Sequence, residues 1–367
     1  MLLSGLRNTP GLTLPVMILL ALGTSVAFAQ DGTGTASNGY AAKVFATGFP
    51  ADSSVGPVGL AFDSAGNLFV MDRSNGYLYK FGPTGGLASP STQVNTSPID
   101  GRPTGLAFTN DWHLYLARQA SGDVVEINPS TGTVARIIAQ NICGATGIAT
   151  DPISGDLFVS EPNCPSADIV RIAGFASGSG KVSTYASPGI TDGLTFAPDG
   201  TLYAALSSKG AIKISGTNSA KPGAVTYIAD VSTLDGISIA ADSKFLLVNR
   251  NDGKITQVGV TTDPPTLMDI FTGGSRGDFI AVGPDGCLYA TQTTSILKVT
   301  NADGSCSLAP TGPTKFAPNS LLPAGSPTHY LYVLCCFLVT LLGGAAIFTI
   351  LVLMRRRTKT QGDHITA

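Results

Sequence analysis

Residues 57–81 read PVGLAFDSAGNLFVMDRSNGYLYKF, and residues 103–127 repeat the plan as PTGLAFTNDWHLYLARQASGDVVEI. Each copy opens with a glycine and an apolar run, passes a polar turn, and continues with an alternating LFV or LYL segment. This is the pattern of strand, tight turn, strand, turn, strand. Four more copies follow at 145–172, 191–214, 234–258 and 277–299. Aligned on Gly59, Gly105, Gly147, Gly193, Gly236 and Phe279, they lie 42 to 46 residues apart. Periods of this length belong to propeller blades. Ser64-Ala65-Gly66, Pro198-Asp199-Gly200 and Pro284-Asp285-Gly286 stand at the same offset and supply the backbone angles that a hairpin needs.

Weaker fourth strands, at 134–139, 182–186 and 225–228, precede new copies. The sixth copy has none, while an unpartnered strand-like run, 42–47, stands before the first. The sequence therefore predicts an all-β, six-bladed propeller over residues 38–308. Its N-terminal strand closes the ring as the outer strand of the last blade, which leaves only short protected edges.

The two ends of the chain carry different signals. Arg7, the apolar run 14–22 and Ala27-Phe28-Ala29 predict an export signal over residues 1–29. Residues 309–329 are proline-rich and read as an extended stalk. Residues 330–354 contain no charged side chain and are long enough to cross a bilayer as a helix. Arg355, Arg356, Arg357 and Lys359 follow, so the positive-inside rule makes residues 355–367 a cytoplasmic tail. The expected localisation is the cell membrane, single-pass, with the propeller outside.

With 22 Lys and Arg against 24 Asp and Glu, the chain lacks the basic field of a nucleic-acid binder. Four of its six cysteines precede the stalk, in a compartment where disulfides persist. Four cysteines allow three connectivities. The repeat favours Cys143 with Cys164 and Cys287 with Cys306, because each pair falls within one repeat period. No phosphate-binding glycine loop or HExxH motif occurs. His113 is the one histidine before the stalk, so imidazole catalysis has almost no candidate there.

The unit PVGLAFDSAGNLFVMDRSNGYLYKF resembles an NHL-type repeat. The whole domain is similar to the gluconolactonase-like propellers, a superfamily that includes senescence marker protein, paraoxonase and strictosidine synthase-like proteins. In the hydrolytic members a calcium or other divalent ion sits at the axial mouth, held by Asn, Asp and Glu at the start of the inner strands. The resemblance implies Asp192, Asp235 and Asp278 as metal ligands here; the corresponding residues of the first three units are Val58, Thr104 and Thr146. Several carboxylates around one point are what Ca²⁺ requires, and a metal would relieve their mutual repulsion. Asp-Gly is also ordinary turn chemistry, and that reading stays open. The family's Glu-Gly-Pro ligand step is Val55-Gly56-Pro57 in this chain, and the third unit carries Thr146 in place of an asparagine.

The ends of the second strands should frame the same mouth. They supply Asp72, Arg73, Arg118, Glu161, Asn249 and Arg250 as a mixed polar rim. Arg276-Gly277-Asp278 spells a cell-adhesion tripeptide, but the alignment needs Asp278 at the inner strand. Two functions remain: a surface-anchored module that binds a small polar ligand, or a protein or glycan partner; and a calcium-dependent esterase or lactonase.

Overall fold

Burial falls with distance from the first strand of each repeat. In the first copy, Pro57–Phe62 and Leu68–Asp72 are buried almost throughout. Outer strands such as Val134–Gln140 and Val225–Asp230 are largely exposed. Strands covered on both faces read as continuous apolar runs, and half-covered ones alternate. The apolar opening of each repeat unit is therefore its innermost strand.

A computed structural model describes residues 34–37, 39–240 and 242–306. Six antiparallel sheets follow one another along the chain. Their inner strands are Pro57–Phe62, Pro103–Phe108, Ile148–Thr150, Thr191–Phe196, Leu234–Ile239 and Ile280–Val282. They define blades one to six. Apolar layers fill the gaps between neighbouring blades. Phe69 and Met71 of blade one, for instance, pack with Leu106, Leu114 and Val125 of blade two. The turns behave as the sequence predicts: Gly66, Gly200 and Gly286 all take positive φ, and Asp285 Oδ1 accepts the Cys287 N–H at 3.1 Å.

The ring closes as expected. Tyr40–Thr47 runs antiparallel to Ser295–Asn301 and completes blade six. The seam is wider than the sequence suggested. Gly86–Leu87 adds in parallel to Ala46–Thr47, so chain from blade one overlaps the outside of blade six. A Cβ at Gly85 would run into the Phe45 carbonyl, so the overlap needs glycine there. This diversion leaves blade one with three regular strands. Its fourth place is taken by a short stretch whose Thr92 carbonyl accepts from Lys80 and whose Val94 N–H donates to Leu78. Thr35–Ala36 pairs with Phe271 and Thr272, so sheet structure begins upstream of residue 38. Both disulfides join the expected partners, with Cα atoms 5.8 Å apart for Cys143–Cys164 and 4.3 Å for Cys287–Cys306.

The predicted export signal (1–29), stalk (309–329), membrane helix (330–354) and tail (355–367) lie outside the described residues. Among the described residues no helix is long and apolar enough to cross a membrane. The closing strand and all six apolar layers lie between residues 34 and 306, so the stretch 31–309, taken as one unit, holds everything a propeller needs to fold.

The strand-opening glycines have a shared cause. A Cβ at Gly105 would lie 2.6 Å from the Thr146 carbonyl oxygen, and one at Gly193 would lie 2.9 Å from that of Asp235. Gly236 meets the Asp278 carbonyl more closely still. Gly236→Ala should therefore cost about 1–3 kcal/mol, the usual range for overpacking. Gly178, with open space around it, should accept alanine almost without loss. Denaturant unfolding of the two variants of the 31–309 unit tests this.

Candidate functional site

The residue before each strand-opening glycine stands at one axial mouth, where neighbouring inner strands touch backbone to backbone. The Gly105 N–H donates to the Thr146 carbonyl at 3.0 Å. Ser160 Oγ donates to the Asp192 carbonyl at 2.7 Å. The register shifts at the start of the inner strands of blades four and five. Bulges of this kind re-aim a side chain, and these sit at Asp192 and Asp235.

The three aspartates do converge. Asp235 lies in the middle, in hydrogen-bonding contact with both Asp192 and Asp278. Asp235 and Asp278 are 5% and 9% exposed, whereas Asp192 keeps a partly open edge. Burial, then the charge and hydrogen bond of Asp235, push the Asp192 carboxyl well above the ordinary range. Burial and Asp235 likewise raise Asp278, to about 7, against the opposing pull of Arg276.

Arg276 is the residue that the sequence did not assign to the site. Its Nη2 lies 2.8 Å from Asp278 Oδ1 and 3.1 Å from Asp235 Oδ2, and its Nε donates to Asn251 Oδ1 at 3.1 Å. The adhesion-like tripeptide is thus closed on itself, with its arginine paired to its own buried aspartate. Arg276 stands two residues before an axial aspartate, in the glycine-rich link between blades five and six. That offset was the available signal.

Most of the expected rim is engaged in the scaffold. Asp72 is fully buried and accepts from Ser74 N and Oγ at 2.8 and 2.7 Å. Arg118 forks onto Asp123 at 2.8 and 2.6 Å, and Glu161 accepts the Cys143 N–H at 2.9 Å. Asn249 donates to the Phe279 and Thr291 carbonyls, bracing blade five against blade six. Arg250 pairs with Asp252 at 2.6 Å and Asp269 at 3.6 Å.

Asp72 Oδ2 and Asn249 Oδ1 are nevertheless buried without a partner among the described residues, and so is part of Arg73. Burial, then the positive charge of Arg102, lower its pKa; Asp278 and Arg276 also act on it. Its Nε is buried and has no hydrogen-bond partner among the described residues. His113 is remote from this chemistry, on an exposed surface with Glu126 Oε1 2.6 Å from Nδ1.

The fit to a divalent cation is poor. One guanidinium already bridges two of the three carboxylates, and burial beside Asp235 favours the neutral form of the third. Arg276 thus meets part of the repulsion that a metal would relieve. Asp285, Cys287 and Cys306 do bring three ligand-type atoms within 4.8 Å of one another, but the two sulfurs are bonded to each other as a disulfide.

No family model and no curated protein matches the sequence. Solved structures match the fold. A protein assigned as a gluconolactonase superposes with TM-score 0.56 at 15% identity, covering 74% of this chain and 98% of that one. A gluconolactonase from Xanthomonas campestris gives 0.53 at 13%, covering 68% and 88%. A streptogramin B lyase gives 0.50 at 14%, covering 71% and 98%. The chain thus has the six-bladed fold of the gluconolactonase-like propellers, and the resemblance read from the repeat holds at the level of fold.

The raised carboxyls fix the sign of a pH effect. The folded state keeps protons on Asp192 and Asp278 that the unfolded chain releases near pH 4. Between that value and about 7, the folded state binds more protons, so their contribution to stability falls as pH rises. The stability of wild type relative to Asp278→Asn should be highest near pH ~4 and decline up to pH ~7, then level off. Paired melting curves across this window provide the check.

Proposed function

We propose that this protein is a recognition propeller, held on the outer face of a membrane by its C-terminal segment, that binds a small polar ligand at the aspartate mouth without metal-dependent turnover. The observation that carries the reading is the bridge from Arg276 to Asp235 and Asp278. It places a built-in cation where the gluconolactonase-like resemblance implies a calcium ion.

The mouth that results is rich in both donors and acceptors. Burial favours the form of Asp192 that offers an O–H, Arg73 has a buried Nε without a partner, and Asp235 accepts from Arg276. A neutral, hydroxyl-rich ligand, such as the exposed end of a glycan, matches that mixture. A strongly charged ligand would have to break the internal pairing, and leaving buried charges unmatched costs several kcal/mol. The fold alone does not select a chemistry. The lactonase activity of similar structures therefore enters only as the competing reading, favoured by the convergence of the three aspartates.

Calcium titration of the 31–309 unit, followed by melting temperature, separates the two. An ion present at a hundred times its Kd would add about 2.7 kcal/mol, or roughly 5–10 °C for a domain of this size. The expected result is no such rise at millimolar calcium in wild type, together with retained glycan binding that Asp235→Asn weakens. A calcium-dependent rise in wild type that Asp235→Asn abolishes, with ester hydrolysis that tracks it, would replace this proposal with the calcium-dependent esterase or lactonase.

A further inference from the structure

The opposite end of the axis carries a second cavity, of about 620 Å³. It is built from the far ends of the inner strands and the turns that follow them, in blades one, two, three, four and six. Its lining contains no Asp, Glu, Lys, Arg or His. A volume in this range suits a small organic ligand, and a wall without charge selects an uncharged one.

The wall is aromatic and held in place. Phe62, Phe108 and Phe196 line the cavity, each meeting a second ring from behind. Phe62 meets Tyr289 at 4.9 Å between centroids, Phe108 meets Phe69 at 5.5 Å, and Phe196 meets Phe158 at 5.0 Å, all edge-on. Such pairs fix ring orientation as well as adding contact energy, so the faces that look into the cavity are set before any ligand arrives. Trp112 stands at its edge, 50% exposed, with its ring 6.1 Å from that of Phe108. Its φ is +66°, a left-handed conformation that is an outlier for so bulky a residue. The turn thus holds a large aromatic side chain half in water beside an apolar cavity. Thr109, Asn110, Thr150 and Thr195 add uncharged polar groups to the lining.

From this geometry we infer that the cavity is a second binding site, for an uncharged, planar aromatic small molecule that stacks on Trp112 and rests against Phe62, Phe108 and Phe196. Its chemistry is the opposite of the aspartate mouth's, and it does not depend on the reading given to that mouth.

Trp112 is the one tryptophan of the chain, so its emission reports on this cavity alone. The probe is N-phenyl-1-naphthylamine, an uncharged aromatic amine, titrated into the 31–309 unit. The expected result is saturable one-to-one binding that quenches Trp112 emission. Ala149→Arg, which places a charge in the lining, should weaken binding at least tenfold. So should Trp112→Ala, read by the probe's own fluorescence, and melting curves verify that both variants fold. Asp235→Asn should bind the probe as wild type does, and the sulfonated anilinonaphthalene analogue should bind at least tenfold more weakly. Four results would each overturn the inference: no saturable binding up to the solubility of the probe, equal affinity in both cavity variants, loss of binding in Asp235→Asn, or equal affinity for the anionic analogue.

Discussion

The contact on which this structure depends is the approach of each inner strand to the next at the axis, glycine against carbonyl. Gly105, Gly193 and Gly236 stand where any Cβ would press on the backbone of the following blade. The pleat and twist of a blade tolerate many side chains elsewhere, but here the interstrand distance is set by the ring itself. Six blades must share one axis, so the limit recurs once per repeat. The position before each glycine inherits a fixed place from it. Its carbonyl faces the preceding blade and its side chain is left to the mouth, which explains how Asp192, Asp235 and Asp278 come together although 43 residues separate each from the next. The sixth copy departs from the rule with Phe279, at the seam where chain closure rather than a further repeat supplies the neighbour.

Bringing three carboxylates to one buried point creates an electrostatic problem, and this molecule's solution is local. Arg276 sits in the link just before blade six and reaches both Asp278 and Asp235. Asp192, not paired with it, is pushed by burial and by Asp235 toward its neutral form. One cation and a raised carboxyl thus offset most of what would be three negative charges. The partly filled titration of Asp278, near neutrality, leaves the mouth able to take up or release charge with small changes in its surroundings. A mouth of this kind is better matched to hydrogen-bonding recognition than to holding a hard cation, which would have to displace Arg276 from two of its carboxylates.

The fold was legible because its determinants are periodic. The 42–46-residue spacing, the turn glycines and the missing last strand are one-dimensional features, and they predicted the blades, the closing strand Tyr40–Thr47 and both disulfides. The convergence of the aspartates followed from the same alignment. What escaped was set by side-chain reach. Whether Arg118 extends into the mouth or folds back on Asp123 depends on a five-residue hairpin, and both outcomes have the same sequence pattern. Arg276 lies outside the repeat unit, so the alignment gave it no role. Blade one's diversion through Gly85 and Leu87 was hidden for a related reason, since a two-residue parallel pairing leaves almost no signature in composition.

The apolar cavity was the least visible feature, and its origin shows why. Phe62, Phe108 and Phe196 end their inner strands as apolar residues in a buried strand ordinarily would, and their sequence context is that of core. Only closure of the ring brings them around one axial opening. The same closure that gathers carboxylates at one mouth therefore gathers phenyl rings at the other. The side chains that reach the axis carry charge at the first and none at the second. Two chemically distinct openings on one axis follow from that single geometry, each defined by the residue that the repeat places there.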